Sequence, residues 1–399
     1  MIEELKLKNW KSYGDSTLYI EPLTFVIGFN ASGKSNILDA LHFLSLIAKG
    51  KSVDDAARSI RGGEDWIVRK DQEVSTISVK VYDEENGIEY MYSIGFSKTG
   101  NTFKVVSESL SSSKKTTNKD LFHVEERGTA SANVLPITTY RPKGDRKPFE
   151  LSSESACIYQ LSLLSSTGGI LKDVNAGVTF VCNKLKNIFT LNPIPSAMRK
   201  YSSVQNELKE DASNIAGVIA NIIKDGNTSL QARIAELVKP LPERDIVEVW
   251  AETGGLFDKD AILCCKEKWT DDKELVMDAK SMSDGTLRFI AIITALLTIP
   301  SGTLLLIEEV DNGLHPSRVS ELITALRTIG EERGIDIICT THNPHMIDSL
   351  GTEMISNISY VKRSPKDGTS EIFLLDEKED LVQIMAGGSI GSSMIKGRI

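Results

Sequence analysis

The 399-residue sequence has no apolar run approaching the roughly 18 to 20 residues that cross a bilayer as a helix, which argues against a helical membrane protein. Its opening, MIEELKLKNW, has no apolar signal-peptide core, so the expected compartment is the cytoplasm. Cysteine is scarce: Cys157, Cys182, Cys264, Cys265 and Cys339 lie mostly in apolar runs, with no CxxC pair. That pattern reads as buried thiols rather than disulfides or a zinc site. No heptad repeat is sustained, which excludes a long coiled-coil arm. Excess positive charge is missing too, since 46 Lys and Arg stand against 55 Asp and Glu for a net charge of −9. The chain as a whole therefore does not attract nucleic acid or an anionic membrane, and any DNA contact needs a local patch. The densest is YRPKGDRKPF, with Arg141, Lys143, Arg146 and Lys147, followed by Lys184, Lys186, Arg199 and Lys200. A solvated loop carries such charges routinely, and that is the favoured reading.

What is present is periodicity. EELKLKNW and STLYIEP alternate in strand fashion, and LTFVIG is a short continuous apolar run ending in Gly28. KSNILDALHFLSLIAKG then repeats apolar residues at helical spacing, with Gly50 as its expected C-cap. From Thr76 to Val106, β-rich segments separated by Asn-Gly and Thr-Gly turns predict an antiparallel meander. The polar segment SLSSSKKTTNKDLF reads as a loop, and residues from about 154 to 240 as a compact set of helices. Strand patterns return at DIVEVWAE and AILCCKEKW, after which helix and strand alternate as in a parallel sheet.

Three segments carry chemistry. GFNASGKS, between a strand and a helix, fits the phosphate-binding loop G-x-x-x-x-G-K-[ST], with Gly28, Asn30, Ala31, Ser32, Gly33, Lys34, Ser35 and Asn36 around the phosphates of ATP. Glycines let backbone N–H groups turn inward, Lys34 pairs the β- and γ-phosphates, and Ser35 holds Mg²⁺. LLLIEEVDNGLHP is a buried strand running into two carboxylates; Glu308 is the expected Mg²⁺ acid and Glu309 the residue that orients and deprotonates water. Alternation along a strand would point the two in opposite directions. In ICTTHNPHMI, His342 closes an apolar strand, where an imidazole can donate to a γ-phosphate; a metal site built on His342 and His345 has no evident carboxylate partner. Upstream of these, SMSDGTLRF places Ser283 or Asp284 as the cap of an apolar helix.

Together, NWKSYGDSTLYIEP, GFNASGKSNILDAL, MSDGTLRF, LLLIEEVDNGLHP and TTHNPHMID resemble the ABC-type ATPases of the RecF, SMC and OLD group, in particular their compact AAA-domain branch. The resemblance covers roughly residues 1 to 100 and 280 to 362. It implies an α/β P-loop NTPase fold of ABC-ATPase type, a mixed sheet with an antiparallel β subdomain and a compact helical insertion. The implied divisions are an N-terminal ATPase lobe at 1–150, the helical insertion at 151–245, a C-terminal ATPase lobe at 246–375 and a tail at 376–399. By likeness Ser283, Asp284 and Gly285 fall on the ABC signature, Asp311 on the D-loop and His342 on the switch histidine. The usual signature is Leu-Ser-Gly-Gly, so Met282 and Asp284 are departures, as are Glu308 for aspartate and Asn343 for serine. Gln72 and Gln160 both remain candidates for the Q-loop glutamine.

The resemblance further implies a homodimer, or a higher oligomer built on it, in which the signature of one chain caps ATP on the P-loop of the other. Such a chain is expected to act as an ATP-driven switch in a DNA-linked system, either repair or anti-phage defence. A separate effector, nuclease or toxin, is expected, because the stretch after His342 is too short for a TOPRIM domain. A slowly hydrolysing binding module that sequesters a partner is the alternative, while a transporter subunit is disfavoured by the large insertion. The tail LVQIMAGGSIGSSMIKGRI reads either as a frayed end or as a docking segment for a partner.

Overall fold

The computed structural model describes residues 1–115, 117–125, 133–140, 149–164, 171–239, 246–255, 257, 259–270, 273–378, 381 and 389–395. The chain forms two compact units, one from Met1–Glu21, Val26–Ile188 and Ile358–Lys378, the other from the remaining segments.

In the first unit, β1 (Ile2–Lys8) buries Leu5 and Leu7 and exposes Lys6 and Lys8, the alternation the sequence carries. It pairs antiparallel with β2 (Asp15–Tyr19). The last residues of β3 (Leu23–Ile27) lead through a loop into α1 (Lys34–Ala48). Helix α1 buries Ile37, Leu38, Leu41, Phe43 and Leu44. It ends at Gly50 (φ 97°), whose N–H donates to Ile47 O while that of Lys51 donates to Leu46 O, a Schellman closure that uses glycine's left-handed freedom. After α2 (Val53–Ser59) come β4 (Val74–Asp83), β5 (Ile88–Thr99), β6 (Thr102–Lys114), β7 (Thr117–Val124), β8 (Val134–Thr139) and β9 (Phe149–Ser152). With β1 and β2 they make one eight-stranded antiparallel sheet in the order β2-β1-β4-β5-β6-β7-β8-β9. The expected meander is there and is longer than its apolar pattern indicates.

SLSSSKKTTNKDLF is not a loop. It is most of the β6–β7 hairpin, with Ser111 opposite Asp120 and Ser113 opposite Asn118. In its β6 part, Ser109–Lys114, ladder bonds to β5 and β7 satisfy the backbone on both sides, so this stretch forms a strand with Leu110 as its single apolar residue. Helices α3 (Cys157–Leu164) and α4 (Lys172–Lys186) also belong to this unit. Glu108, 3% exposed, accepts from Tyr92 Oη (2.9 Å) and from the N–H groups of Cys157 (2.6 Å) and Ile158 (2.7 Å) at the head of α3.

The second unit contains β10 (Ile188–Leu191) from Phe189 onward, α5 (Pro195–Met198), β11 (Ser202–Ser203), α6 (Ile215–Lys224) and α7 (Thr228–Val238). The helices of 151–245 are thus shared between the units. A four-stranded antiparallel sheet follows, in which β13 (Asp260–Thr270) pairs with β12 (Ile246–Gly254) on one edge and with β11 and β14 (Lys273–Asp278) on the other. Then come α8 (Asp284–Thr298), β15 (Leu304–Ile307), α9 (Val319–Arg333), β16 (Asp336–Thr341) and α10 (Pro344–Ser349). Strands β15 and β16 are parallel, as the alternation of elements predicts, and all four residues of β15 are buried. The chain returns to the first unit as the antiparallel hairpin β17 (Ile358–Arg363) and β18 (Ser370–Leu374).

The described part of the tail, α11 (Ile390–Ile395), docks on α10 of its own unit: Ser389 Oγ donates to Asp348 Oδ2 (2.8 Å) and the Gly391 N–H to Oδ1 (2.6 Å). All five cysteines are buried and unpaired, and burial pushes the Cys265 thiol up to about 12. Among the described residues no helix is long and apolar enough to cross a membrane.

Candidate functional site

In the first unit, the loop between β3 and α1 owes its shape to three positive φ values: Gly28 (152°), Ala31 (63°) and Gly33 (118°). Such turns bring successive N–H groups to one side as an anion cradle, and Ala31 accepts a left-handed conformation that costs about 1 kcal/mol. A Cβ on Gly28 would lie 2.3 Å from Val361 O, and one on Gly33 2.5 Å from Ser370 Oγ, so both positions require glycine sterically as well. Three residues hold the loop from outside. Tyr13 Oη donates to Gly33 O (3.0 Å), Ser370 Oγ donates to Ser32 O (2.5 Å), and the Ser12 hydroxyl sits 2.8 Å from both Ser370 Oγ and Asn36 Nδ2. Burial pushes the Tyr13 hydroxyl well above its ordinary pKa, so it remains a donor.

Lys34, 7% exposed, turns its ammonium onto Gly28 O (2.7 Å) and Phe29 O (2.8 Å), inside the curl of the loop. Ser32 Oγ is buried there without a hydrogen-bond partner. An orphaned hydroxyl and a buried ammonium inside a loop of left-handed turns before a helix N-terminus are the complement of a phosphate. Asn30 and Ala31 form the exposed crest, and Ser35 and Asn36 open α1, which has no side-chain cap.

In the second unit, the ends of parallel β15 and β16 carry the acidic residues and the histidine, the strand ends at which α/β sheets bind ligands. Glu308 and Glu309 lie just beyond β15 and are half-buried. Strand alternation is not what separates them: Glu309 has φ +45°, so a turn directs its side chain. Thr340 Oγ1 accepts the Glu309 N–H (2.9 Å), and His342 Nδ1 stands 3.5 Å from Glu309 Oε1. Asp311 is 8% exposed and accepts from Thr341 Oγ1 at 2.7 Å, so its carboxylate braces the turn from within. Asn343 caps α10 by accepting the His345 N–H (3.0 Å), a capping use to which asparagine is as suited as serine. Among the described residues no group of three or more His, Cys, Asp and Glu converges as a metal site of its own.

Ser283 is the N-cap of α8, accepting from the Thr286 N–H (3.1 Å). Gly285 packs so closely against the turn after Glu309 that a Cβ would lie 2.2 Å from Gly313 O. Arg199 grips this turn, donating from Nη2 to Met282 O (2.8 Å) and Asp284 Oδ1 (2.7 Å). The acidic departure at Asp284 is thereby neutralised, which no local sequence pattern indicates. Of the other basic residues, Arg141, Lys143, Arg146 and Lys147 lie outside the described residues, while Lys184 and Lys186 stand 5.8 and 5.9 Å from the ring centroids of Phe180 and Tyr159. Gln160 is bound to the backbone of Ser152 and Ser155, and Gln72 is exposed beside Asn9.

The sequence profile of a family described as "AAA domain, putative AbiEii toxin, Type IV TA system" matches residues 23–156 and 221–348. The DNA replication and repair protein RecF of Porphyromonas gingivalis is 35% identical over 96 residues, 24% of this chain and 24% of that protein. RecF of Lactococcus lactis subsp. cremoris is 40% identical over 55 residues, 14% of this chain and 15% of that protein. The chain therefore matches about a quarter or less of the length of these curated relatives. The crystal structure of an SMC head bound to the C-winged helix domain of ScpA superposes with a TM-score of 0.52 at 16% identity, covering 93% of this chain and 97% of that one, a likeness of fold. The chain belongs to this AAA-domain family and has the P-loop fold of the RecF/SMC-like, ABC-type ATPases.

Proposed function

We propose that the protein binds and hydrolyses ATP as a dimerising switch, with Lys34 and the loop from Gly28 to Asn36 on the phosphates. The observation that carries this reading is the cradle itself, with its three positive φ values, the buried Lys34 ammonium and the orphaned Ser32 hydroxyl. Ser35 and Glu308 offer a hydroxyl and a carboxylate, the hard oxygen donors that suit Mg²⁺, and the ion when bound neutralises charge on the β- and γ-phosphates. Glu309 orients and deprotonates the attacking water. His342, beside Glu309, donates to the γ-phosphate.

In this reading α8 of one chain faces the ATP of another. Ser283 satisfies the Thr286 N–H, and the remaining N–H groups of the first turn of this 15-residue helix would face the phosphates held by the partner. Asp311 takes part from beneath, by holding the turn that packs on Gly285. Two chains related by a two-fold axis would enclose two ATP molecules.

A role in anti-phage defence beside a separate toxin or nuclease is part of this reading; the family's description, which names a putative toxin and a type IV toxin–antitoxin system, supports a place in such a system. The RecF relatives favour a second reading in DNA repair. The SMC head bound to ScpA offers a precedent for a partner protein on this fold. The test of the switch is the mass in solution of the Glu309→Gln variant with and without ATP and Mg²⁺. A dimer that forms only with ATP is expected, and a monomer at saturating ATP would refute the composite site.

A further inference from the structure

In the second unit, α11 packs on α10, the helix that follows His342. Ser389 opens α11, accepting the Ser392 N–H at 3.2 Å, and its Oγ donates to Asp348 Oδ2 at 2.8 Å. The Gly391 N–H reaches Oδ1 of the same carboxylate at 2.6 Å. Asp348 lies one turn beyond Pro344, on the same face of α10. Gly391 closes on both residues: a Cβ there would lie 2.3 Å from Pro344 O and 2.9 Å from Asp348 Oδ1. Ile390 and Met394, one turn apart on α11, are buried, as are Met346 and Ile347 of α10. A frayed end has neither a two-point carboxylate clasp nor a backbone approach that only glycine allows.

The contact bears on the site because little slack separates α10 from His342. The imidazole is 43% exposed and stands 3.5 Å from Glu309 Oε1, so its place depends on the backbone that carries it more than on packing. On one side Thr341 is tied down, its Oγ1 donating to Asp311 Oδ1 (2.7 Å) and accepting the Asn343 N–H (3.1 Å). On the other, Asn343 holds an extended conformation (φ −86°, ψ 116°), to which the following proline confines it, and the ring of Pro344 fixes its own φ. A shift of the first turn of α10 is therefore passed to His342 rather than absorbed. Pro344 is the residue that Gly391 covers.

We propose that Ser389–Ile395 is a strap that sets the position of His342, with Asp348 and Gly391 as positioning residues for ATP hydrolysis. Neither residue touches the nucleotide. With the strap seated, His342 stays beside Glu309 and ready for the γ-phosphate; with the strap displaced, ATP is still held by the cradle but is hydrolysed slowly. This inference rests on the reading that the protein hydrolyses ATP with His342 at the γ-phosphate.

The test compares kcat, Kd for a non-hydrolysable ATP analogue and melting temperature in the full chain. Wild type should hydrolyse ATP and His342→Ala should do so more than about tenfold more slowly; if wild type hydrolyses none, or His342→Ala is as fast, the ATPase reading itself fails. Gly391→Ala and Asp348→Ala should each lower kcat about five- to tenfold while Kd changes less than about twofold, because a misplaced group slows the reaction without loosening ground-state binding. Asp348→Asn, which keeps an acceptor for the Gly391 N–H, should recover part of the rate. In a His342→Ala background, Gly391→Ala should lower kcat no further, since both changes act through one side chain. Wild-type kcat in Gly391→Ala, or an equal loss with and without His342, would overturn the inference. So would a rise in Kd that matches the fall in kcat, the sign of a general loss of structure. If Asp348→Ala does not fold, Gly391→Ala decides on the same outcomes.

Discussion

Replacing Arg199 by alanine isolates the charge balance of the turn before α8. The variant loses a hydrogen bond to Met282 O and an ion pair with Asp284, whose side chain is 65% exposed against 27% for Arg199. Solvent screens that pair, so the folding cost is about 1 kcal/mol, a fall in Tm of about 1 °C for a chain of this length. In the proposed dimer the cost to ATP-dependent association is larger, because Asp284 would then face the partner's nucleotide uncompensated. For an anion placed about 7 Å away at an effective dielectric constant of about 20 to 40, the repulsion is about 1.2 to 2.4 kcal/mol, or roughly 8- to 50-fold in affinity. The assay is the dimer dissociation constant at saturating ATP, measured by sedimentation in a Glu309→Gln background. Arg199→Ala should weaken it by that factor, and adding Asp284→Asn should restore most of the loss. A dimer unaffected by Arg199→Ala, or a double variant no better than the single one, would refute the reasoning.

Gly33→Ala places a methyl 2.5 Å from Ser370 Oγ at φ +118°, which costs about 1 to 3 kcal/mol and shifts the cradle; calorimetry should show ATP binding lost. Gly100→Ala, also at positive φ but with nothing within 4 Å, should leave ATP affinity unchanged, and equal effects of the two would show that the cradle's geometry is not what matters. Burial, opposed by its backbone and side-chain donors, raises the Glu108 carboxyl from 4.5 to about 7. The folded state therefore binds this proton more tightly than the unfolded chain. The resulting stabilisation is complete below about pH 4.5 and lost as the pH rises to about 7, a change of about 3 kcal/mol. Melting curves across that range should slope less for Glu108→Gln than for wild type, and identical slopes would contradict the assignment.

The phosphate cradle, β15 with its two carboxylates, the histidine after β16 and the Ser283 cap are legible in the sequence, because each depends on neighbours within a few residues: an apolar period, a glycine at a turn, an oxygen-bearing cap. The β6–β7 hairpin is not, since Ser109–Lys114 has no apolar alternation and owes its strand form to ladder partners on both sides. The same holds for what tunes the site. Arg199 meets Asp284 across 85 positions, Ser370 meets Ser32 across 338, and Thr341 meets Asp311 across 30. Glu309 is a strand continuation in the sequence and a left-handed turn in the fold. Local patterns determine which residues can bind phosphate or carry a proton, since propensity and capping act over one or two turns. Only the tertiary structure decides how those residues are charged and held, because burial and long-range hydrogen bonds exist only once distant segments have packed.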